Sequence, residues 1–476
     1  MARYKVLILN QLGKAQGLSM KTKQLIPLAS ALLLSTLSAT LTANAVVNTL
    51  VGWAKLPANT VSVGPTTGQF GGTAFGANSH LLPIINGQSV QGFSAVLNGP
   101  SQGTYYVMPD NGFGTQANSA DALLRVYAVK PDFKTWNGNR VVGTGAVNPL
   151  NINTGAAQTV FNNNSFNNNS FINLRDTDHQ LGFTIQADFT HYYNKASDPV
   201  VDASIRDNRL LSGADLDIES MQKDKNGHLW FGDEFGPFLL KTDATGKVLR
   251  SEIATPNILP PNSTATGAYV QAPQNPYLAG HLANLGGSHG FEGIAINTAG
   301  DKLYTLLEGT VTGDAPKSLR INTFDINTET FTKQSALYQL DPLGTNIGDM
   351  TAINDHEFLV LERNGATATS GTPFKKVFKI DIAKLDANGF ADKSEVVDLM
   401  NIADPHDLNG DGSQLFTFPY VTIEDILIVD KNTILVMNDN NFPGGGGRST
   451  APDSTEFLLI SLSQPIANYH NKLIER

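Results

Sequence analysis

Residues 217–243 decide the fold. Asp217-Ile218-Glu219-Ser220-Met221 leads to Leu229-Trp230-Phe231-Gly232-Asp233-Glu234, and then to Phe238-Leu239-Leu240-Lys241-Thr242-Asp243. Short apolar runs rich in aromatic residues, separated by Gly, Asn, Asp and Pro, read as antiparallel strands joined by turns. The same unit returns as Gly290-Phe291-Glu292-Gly293-Ile294 with Leu303–Gly309 and Thr323–Ile326. It returns again as Gly348-Asp349-Met350-Thr351 with Phe358–Arg363 and Val377–Asp381, and as Ile423-Glu424-Asp425-Ile426 with Ile434–Asp439 and Phe457–Ile460. A weaker copy spans Phe93–Val96, Tyr105–Asp110 and Leu124–Val129.

Inside the unit, leading and trailing acids are 15 residues apart for Glu219 and Glu234, 16 for Glu292 and Glu308, 13 for Asp349 and Glu362, and 15 for Glu424 and Asp439. Between units the spacing is loose, at 73, 57 and 75 residues. A tight unit with long inter-strand inserts predicts an all-β fold, a β-propeller whose blades are small antiparallel sheets. Five copies are visible. Residues 46–90 and 136–210 leave room for a divergent further one, so six blades are expected. A β-sandwich with chance similarity is the competing reading. The Asn-rich stretch 161–170 reads as an exposed insert.

The chain has 476 residues, 41% hydrophobic and 16% charged, enough apolar material for a packed core. A net charge of −10 argues against a nucleic-acid partner, which needs basic patches. Cysteine is absent, so thiol nucleophiles, disulfides and Cys-ligated metals are excluded. Lys21 and Lys23, the apolar run 25–41 and Ala43-Asn44-Ala45 read as a signal peptide over 20–45. A membrane anchor is disfavoured, because Ser30, Ser35, Thr36, Ser38 and Thr40 dilute the run. Residues 1–19 then precede an internal start at Met20, and 46–476 form one propeller domain. The expected location is the periplasm or the exterior, with no membrane span after cleavage.

A residue that recurs at one place in every blade forms a ring about the propeller axis. Glu219, Glu292, Asp349 and Glu424 hold one such place. Asp110, Asp233, Glu234, Glu308, Glu362 and Asp439 hold another. Converging carboxylates repel unless a cation neutralises them or protons are retained, and an all-oxygen ligand set suits calcium. Turn capping and pairing within each blade is the alternative role. Asp407-Leu408-Asn409-Gly410-Asp411-Gly412 matches half of an EF-hand loop, but position twelve is Phe418 and no helices flank it, so a plain turn is favoured. Gly286-Gly287-Ser288-His289-Gly290 matches G-x-S-x-G without the strand-to-helix elbow that the motif needs. His289 sits three residues before Glu292 and can reach the funnel. Arg363 is a candidate anion clamp, and Arg448 a weaker second.

The segments DIES…LWFGDEFGPFLLK, GFEGIAIN…LYTLLEG, DMTAI…FLVLERNG and TIEDILIV…ILVMNDNNFP resemble the phytase-like domain family, known for "esterase-like activity of phytase". The resemblance runs over about 50–465. It implies an exported bacterial β-propeller acting on phosphate esters, with family acids at Glu219, Asp233, Glu234, Glu292, Glu308, Glu362, Glu424 and Asp439. The R-H-G-x-R-x-P signature of histidine acid phytases is absent.

The expectation is a monomeric calcium-dependent hydrolase of small anionic or ester substrates, with Glu292, Glu219, His289 and Arg363 as catalytic candidates. A carboxylester or lactone hydrolase on the same site, and a non-catalytic envelope propeller, are the alternatives.

Overall fold

The computed structural model describes residues 47–90, 92–158 and 165–469. The signal-peptide expectation and the possible internal start lie outside the described residues.

Five sheets, each built on four antiparallel strands, account for the repeats, and those of blades 1 and 5 carry one and two further short strands. Blade 1 is Phe93–Asn98, Tyr105–Pro109, Arg125–Pro131 and Phe171–Asn173. Blade 2 is Ile218–Lys223, Leu229–Asp233, Phe238–Thr242 and Ile253–Ala254. Blade 3 is Phe291–Ile296, Lys302–Leu307, Ser318–Asp325 and Thr330–Gln339. Blade 4 is Asn346–Ala352, Glu357–Arg363, Lys375–Leu385 and Ala391–Asp398. Blade 5 is Asp425–Asp430, Thr433–Met437 and Thr455–Ser461, completed by Thr49–Leu56 from the start of the described chain.

The first strands of the blades pack against one another in a closed ring, in the order 1, 2, 3, 4, 5 and back to 1. The propeller therefore has five blades, not six. Residues 46–90 do not form a sixth. Their strand Thr49–Leu56 pairs antiparallel with Thr455–Ser461, from Thr49 opposite Ser461 to Leu56 opposite Thr455, and closes the ring. Nor do the described residues of 136–210, whose elements are short and include one α-helix, Ala203–Asn208. The Asn-rich stretch is not wholly exposed. Ser165–Phe166 pairs with Val61–Ser62, and the Phe166 ring is buried edge-on against Tyr127.

Each blade is too thin to bury both faces alone, so the core lies between blades. Five apolar clusters fill the five interfaces. Trp230, fully buried between blades 2 and 3, keeps its indole N–H satisfied by Asp224 at 3.0 Å. The first strands are sheet edges that face the axis, and side chains satisfy part of those edges. Ser220 and Gln222 of blade 2 donate to the carbonyls of Phe291 and Ile294 of blade 3, at 2.7 and 2.8 Å.

Candidate functional site

A β-bulge organises the axial site. In blades 1 to 4 the pairing of first and second strands slips by one residue, leaving Ser94, Glu219, Glu292 and Gly348 without a partner opposite. A bulge re-aims the extra residue, and here it does so at one level around the axis. Glu424 holds the corresponding place in blade 5, its N–H on the Met437 carbonyl. Two residues earlier stand Gly92, Asp217, Gly290, Asn346 and Thr422. Just past the ladder partner on the second strand stand Asp110, Glu234, Glu308, Arg363 and Asp439.

These three levels bring together eight carboxylates and one arginine among the described residues: Asp110, Asp217, Glu219, Glu234, Glu292, Glu308, Glu424 and Asp439 around Arg363. All but Asp110 are buried by accessible surface. The Arg363 guanidinium reaches Glu424 at 2.9 Å and both Glu292 and Glu308 at 3.3 Å. Burial alone would lower its pKa, but the three glutamates hold it above its ordinary value. Ser94 donates to Glu424 at 3.1 Å, and Asn346 to Glu308 at 2.8 Å.

Burial, reinforced by neighbouring acids, pushes Asp110, Glu219, Glu234 and Glu292 well above the carboxylate range. It lifts Asp217 and Asp439 to about 6 and Glu424 to about 8. Either these groups keep protons near neutrality or a cation takes their place. Asp217, Glu219 and Glu234 bring oxygens within 4.8 Å of one another. Asp217 Oδ1 and Glu234 Oε1 are buried with no hydrogen-bond partner. Hard oxygen donors with uncommitted lone pairs fit a calcium-like ion.

His289 lies half-exposed beside the cage. Its Nδ1 is 2.8 Å from Glu308, and that bond raises the imidazole pKa against the opposing effect of burial. Ser288 has φ +48°, a conformation unusual for a non-glycine residue, and its hydroxyl faces Asp217 at 3.4 Å.

Three expected ring members stand one register away from the axis. Asp349 lies opposite Leu361, one residue past the bulge. It accepts from the Met350 and Ile426 N–H groups at 2.6 and 2.9 Å, tying blade 4 to blade 5, and burial lifts it to about 8. Glu362 points the other way from Arg363, as strand alternation requires, to Tyr338, Lys393 and the Asp341 N–H. Asp233 accepts from the Asp217 and Gly236 N–H groups at 2.9 and 2.7 Å and shapes the turn. Asp217 was not among the expected site residues. Its position two before Glu219, on the same strand face, is the signal that points to it. Arg448 is committed to Glu456 at 2.8 Å. The EF-hand-like loop closes on itself, Asp407 accepting from the Gly412 N–H at 3.0 Å.

A family model described as "Phytase-like: Esterase-like activity of phytase" matches residues 88–442. The chain belongs to this family. The phytase-like propeller also resembles solved structures at low similarity. A luciferin-regenerating enzyme aligns with TM-score 0.32 and 9% identity, over 86% of this chain and 94% of that one. A GH43 endo-arabinanase from Bacillus licheniformis aligns with TM-score 0.31 and 10% identity, over 79% and 95%. A GH43 β-1,3-galactosidase with galactodeoxynojirimycin aligns with TM-score 0.36 and 10% identity, over 79% and 91%. At these values the likenesses carry no argument about activity. No curated protein matches the chain in sequence. No helix among the described residues is long and apolar enough to cross a membrane.

Proposed function

We propose that this phytase-like propeller is an exported, monomeric hydrolase of phosphate esters that holds calcium at Asp217, Glu219 and Glu234. The carrying observation is that buried triad, its oxygens within 4.8 Å and two of them without a partner. Calcium bound there would supply a Lewis acid and a water of lowered pKa. The chain's own residues do the rest. Glu308, fixed by Asn346 and Arg363, orients the His289 ring through Nδ1 and favours its protonated form. Nε2 is then the atom that gives a proton to a leaving alcohol. Arg363 braces three glutamates rather than standing free to clamp phosphate.

That last point favours a second reading on the same site, hydrolysis of a neutral carboxylester or lactone. Such a substrate avoids the repulsion that a phosphate meets near so many acids. Parallel assays on phosphomonoesters and acyl esters separate the two. Activity should fall to background in EDTA and return with calcium. Phosphomonoester turnover that survives EDTA, or is absent in calcium-loaded protein, would sink the leading reading.

A further inference from the structure

Beside the cage, on blades 1 and 5, lies a cavity of about 200 Å³ with a different character. Phe75, Phe113 and Phe442 line it together with Asp110 and Asp439. Phe113 and Phe442 are buried, Phe75 is half-buried, and the Phe75 and Phe113 ring centroids are 6.2 Å apart. Gly92 lies against both acids. A Cβ on Gly92 would stand 3.0 Å from an Asp110 oxygen and 3.3 Å from an Asp439 oxygen. Blade 2 places Asp217 at the equivalent position, so the missing side chain in blade 1 leaves room between the two carboxylates.

Aromatic walls over paired carboxylates discriminate among ligands. A calcium ion needs 6–8 oxygens; Asp110, Asp439 and Asn441 supply some, but the three phenyl rings supply none. A phosphate would meet two carboxylates and no free cation. A neutral apolar group would leave Asp439, which burial lifts only to about 6, without counter-charge. An alkylammonium group satisfies both features: its charge faces the acids and its methyl groups lie on the rings, as in cation–π recognition. The size agrees, since a cavity of about 150 Å³ admits benzene.

We propose that the pocket formed by Phe75, Phe113, Phe442, Asp110 and Asp439 binds a quaternary or tertiary alkylammonium group. The proposal does not rest on the hydrolase reading, and its test uses no activity.

Titration calorimetry with choline chloride, tetramethylammonium chloride and the uncharged isostere 3,3-dimethylbutan-1-ol tests it on the calcium-loaded protein. Both cations should bind, and the isostere at least tenfold more weakly. Phe75→Ala, on a partly exposed loop, should weaken choline at least fivefold with an unchanged melting temperature. Gly92→Ala should weaken it at least tenfold. If Gly92→Ala unfolds, Asp439→Asn carries the same expectation. Equal binding of the isostere, no binding of either cation, or full affinity in both Phe75→Ala and Gly92→Ala (or Asp439→Asn in its place) would overturn the proposal. Sedimentation with phosphatidylcholine vesicles, displaced by choline, would assign the group to a lipid head. Binding of free choline alone would assign it to a soluble cation.

Discussion

Blade 2 and blade 4 share one strand plan and reach the axis with opposite chemistry. At the three axial positions blade 2 carries Asp217, Glu219 and Glu234, whereas blade 4 carries Asn346, Gly348 and Arg363. One blade concentrates negative charge and the other supplies the guanidinium that braces Glu292, Glu308 and Glu424. A repeated scaffold fixes where side chains arrive. The residue types at those points then divide the axis into an acid-rich side that fits a cation and a side where one guanidinium already braces the acids.

Removing the brace should have the largest effect. Arg363→Met keeps the side-chain length and leaves three glutamates facing one another. Losing one partner of a buried ion pair costs about 3–5 kcal/mol. Urea unfolding at pH 8 should show that loss, and it should shrink toward pH 5 as Glu292 and Glu424 take up protons. An unchanged midpoint would mean that the three contacts do not form.

Making blade 4 resemble its neighbours comes next. Blade 4 has no acid at the bulge because no side chain fits there: a Cβ on Gly348 would stand 1.9 Å from the Ile423 carbonyl oxygen and 3.2 Å from the Glu424 Cα. These are backbone atoms of blade 5 and cannot swing away. Gly348→Ala should therefore lower stability by roughly 1–3 kcal/mol in thermal unfolding, as overpacking does. A cost below about 0.5 kcal/mol, within the range of a neutral surface change, would show that blades 4 and 5 sit farther apart.

The repeats were legible because each blade keeps its strands local, and the copies at Phe93, Glu219, Glu292, Asp349 and Glu424 fall on the five observed blades. The blade count was not legible, because the closing strand Thr49–Leu56 pairs with Thr455–Ser461 from the far end of the chain and no local pattern encodes that. The axial positions were legible to within one residue. Alternation places a residue on a face only while the ladder is regular, and the bulge shifts it by one. The odd spacing of 13 between Asp349 and Glu362 was the available warning. Gly348 to Arg363 restores 15 residues, and Ser94 to Asp110 gives 16. Reading only acids as ring members hid Gly348, and it left Arg363 as an anion clamp rather than as the ring member of blade 4.

A conservative change in blade 2 should sharpen the contrast. Without metal, Glu219→Gln removes a carboxylate that burial and its neighbours Asp217 and Glu292 already disfavour, so stability should hold or rise. With calcium at a hundred times its dissociation constant, wild type should gain ~2.7 kcal/mol by mass action and the variant far less. Scanning calorimetry with EDTA and with calcium reads both. Equal gains would place any calcium away from the triad.

The pH dependence of the metal-free protein has a sign that follows from the same acids. Asp217 rises to about 6 and Glu424 to about 8 in the folded state, mainly by burial. A carboxyl whose folded pKa is raised holds its proton longer folded than unfolded. Between about pH 4, the ordinary carboxylate value, and pH 8 the native state thus binds more protons, and stability falls as pH rises. Glu424 alone should lose roughly 2 kcal/mol from pH 6 to 8, since one pKa unit corresponds to about 1.4 kcal/mol, and the acids that share its protons add to the loss. Calcium should flatten the slope by replacing those protons, and Glu219→Gln should flatten it partly without calcium. Blade 4 has no acid at its three axial positions and adds to the slope through Asp349, which burial lifts to about 8. Urea midpoints in EDTA at pH 5, 6.5 and 8 measure the effect, and a stability that climbs over that range would mean that the cage enters the folded state ionised, with Arg363 outweighing the burial of its carboxylates.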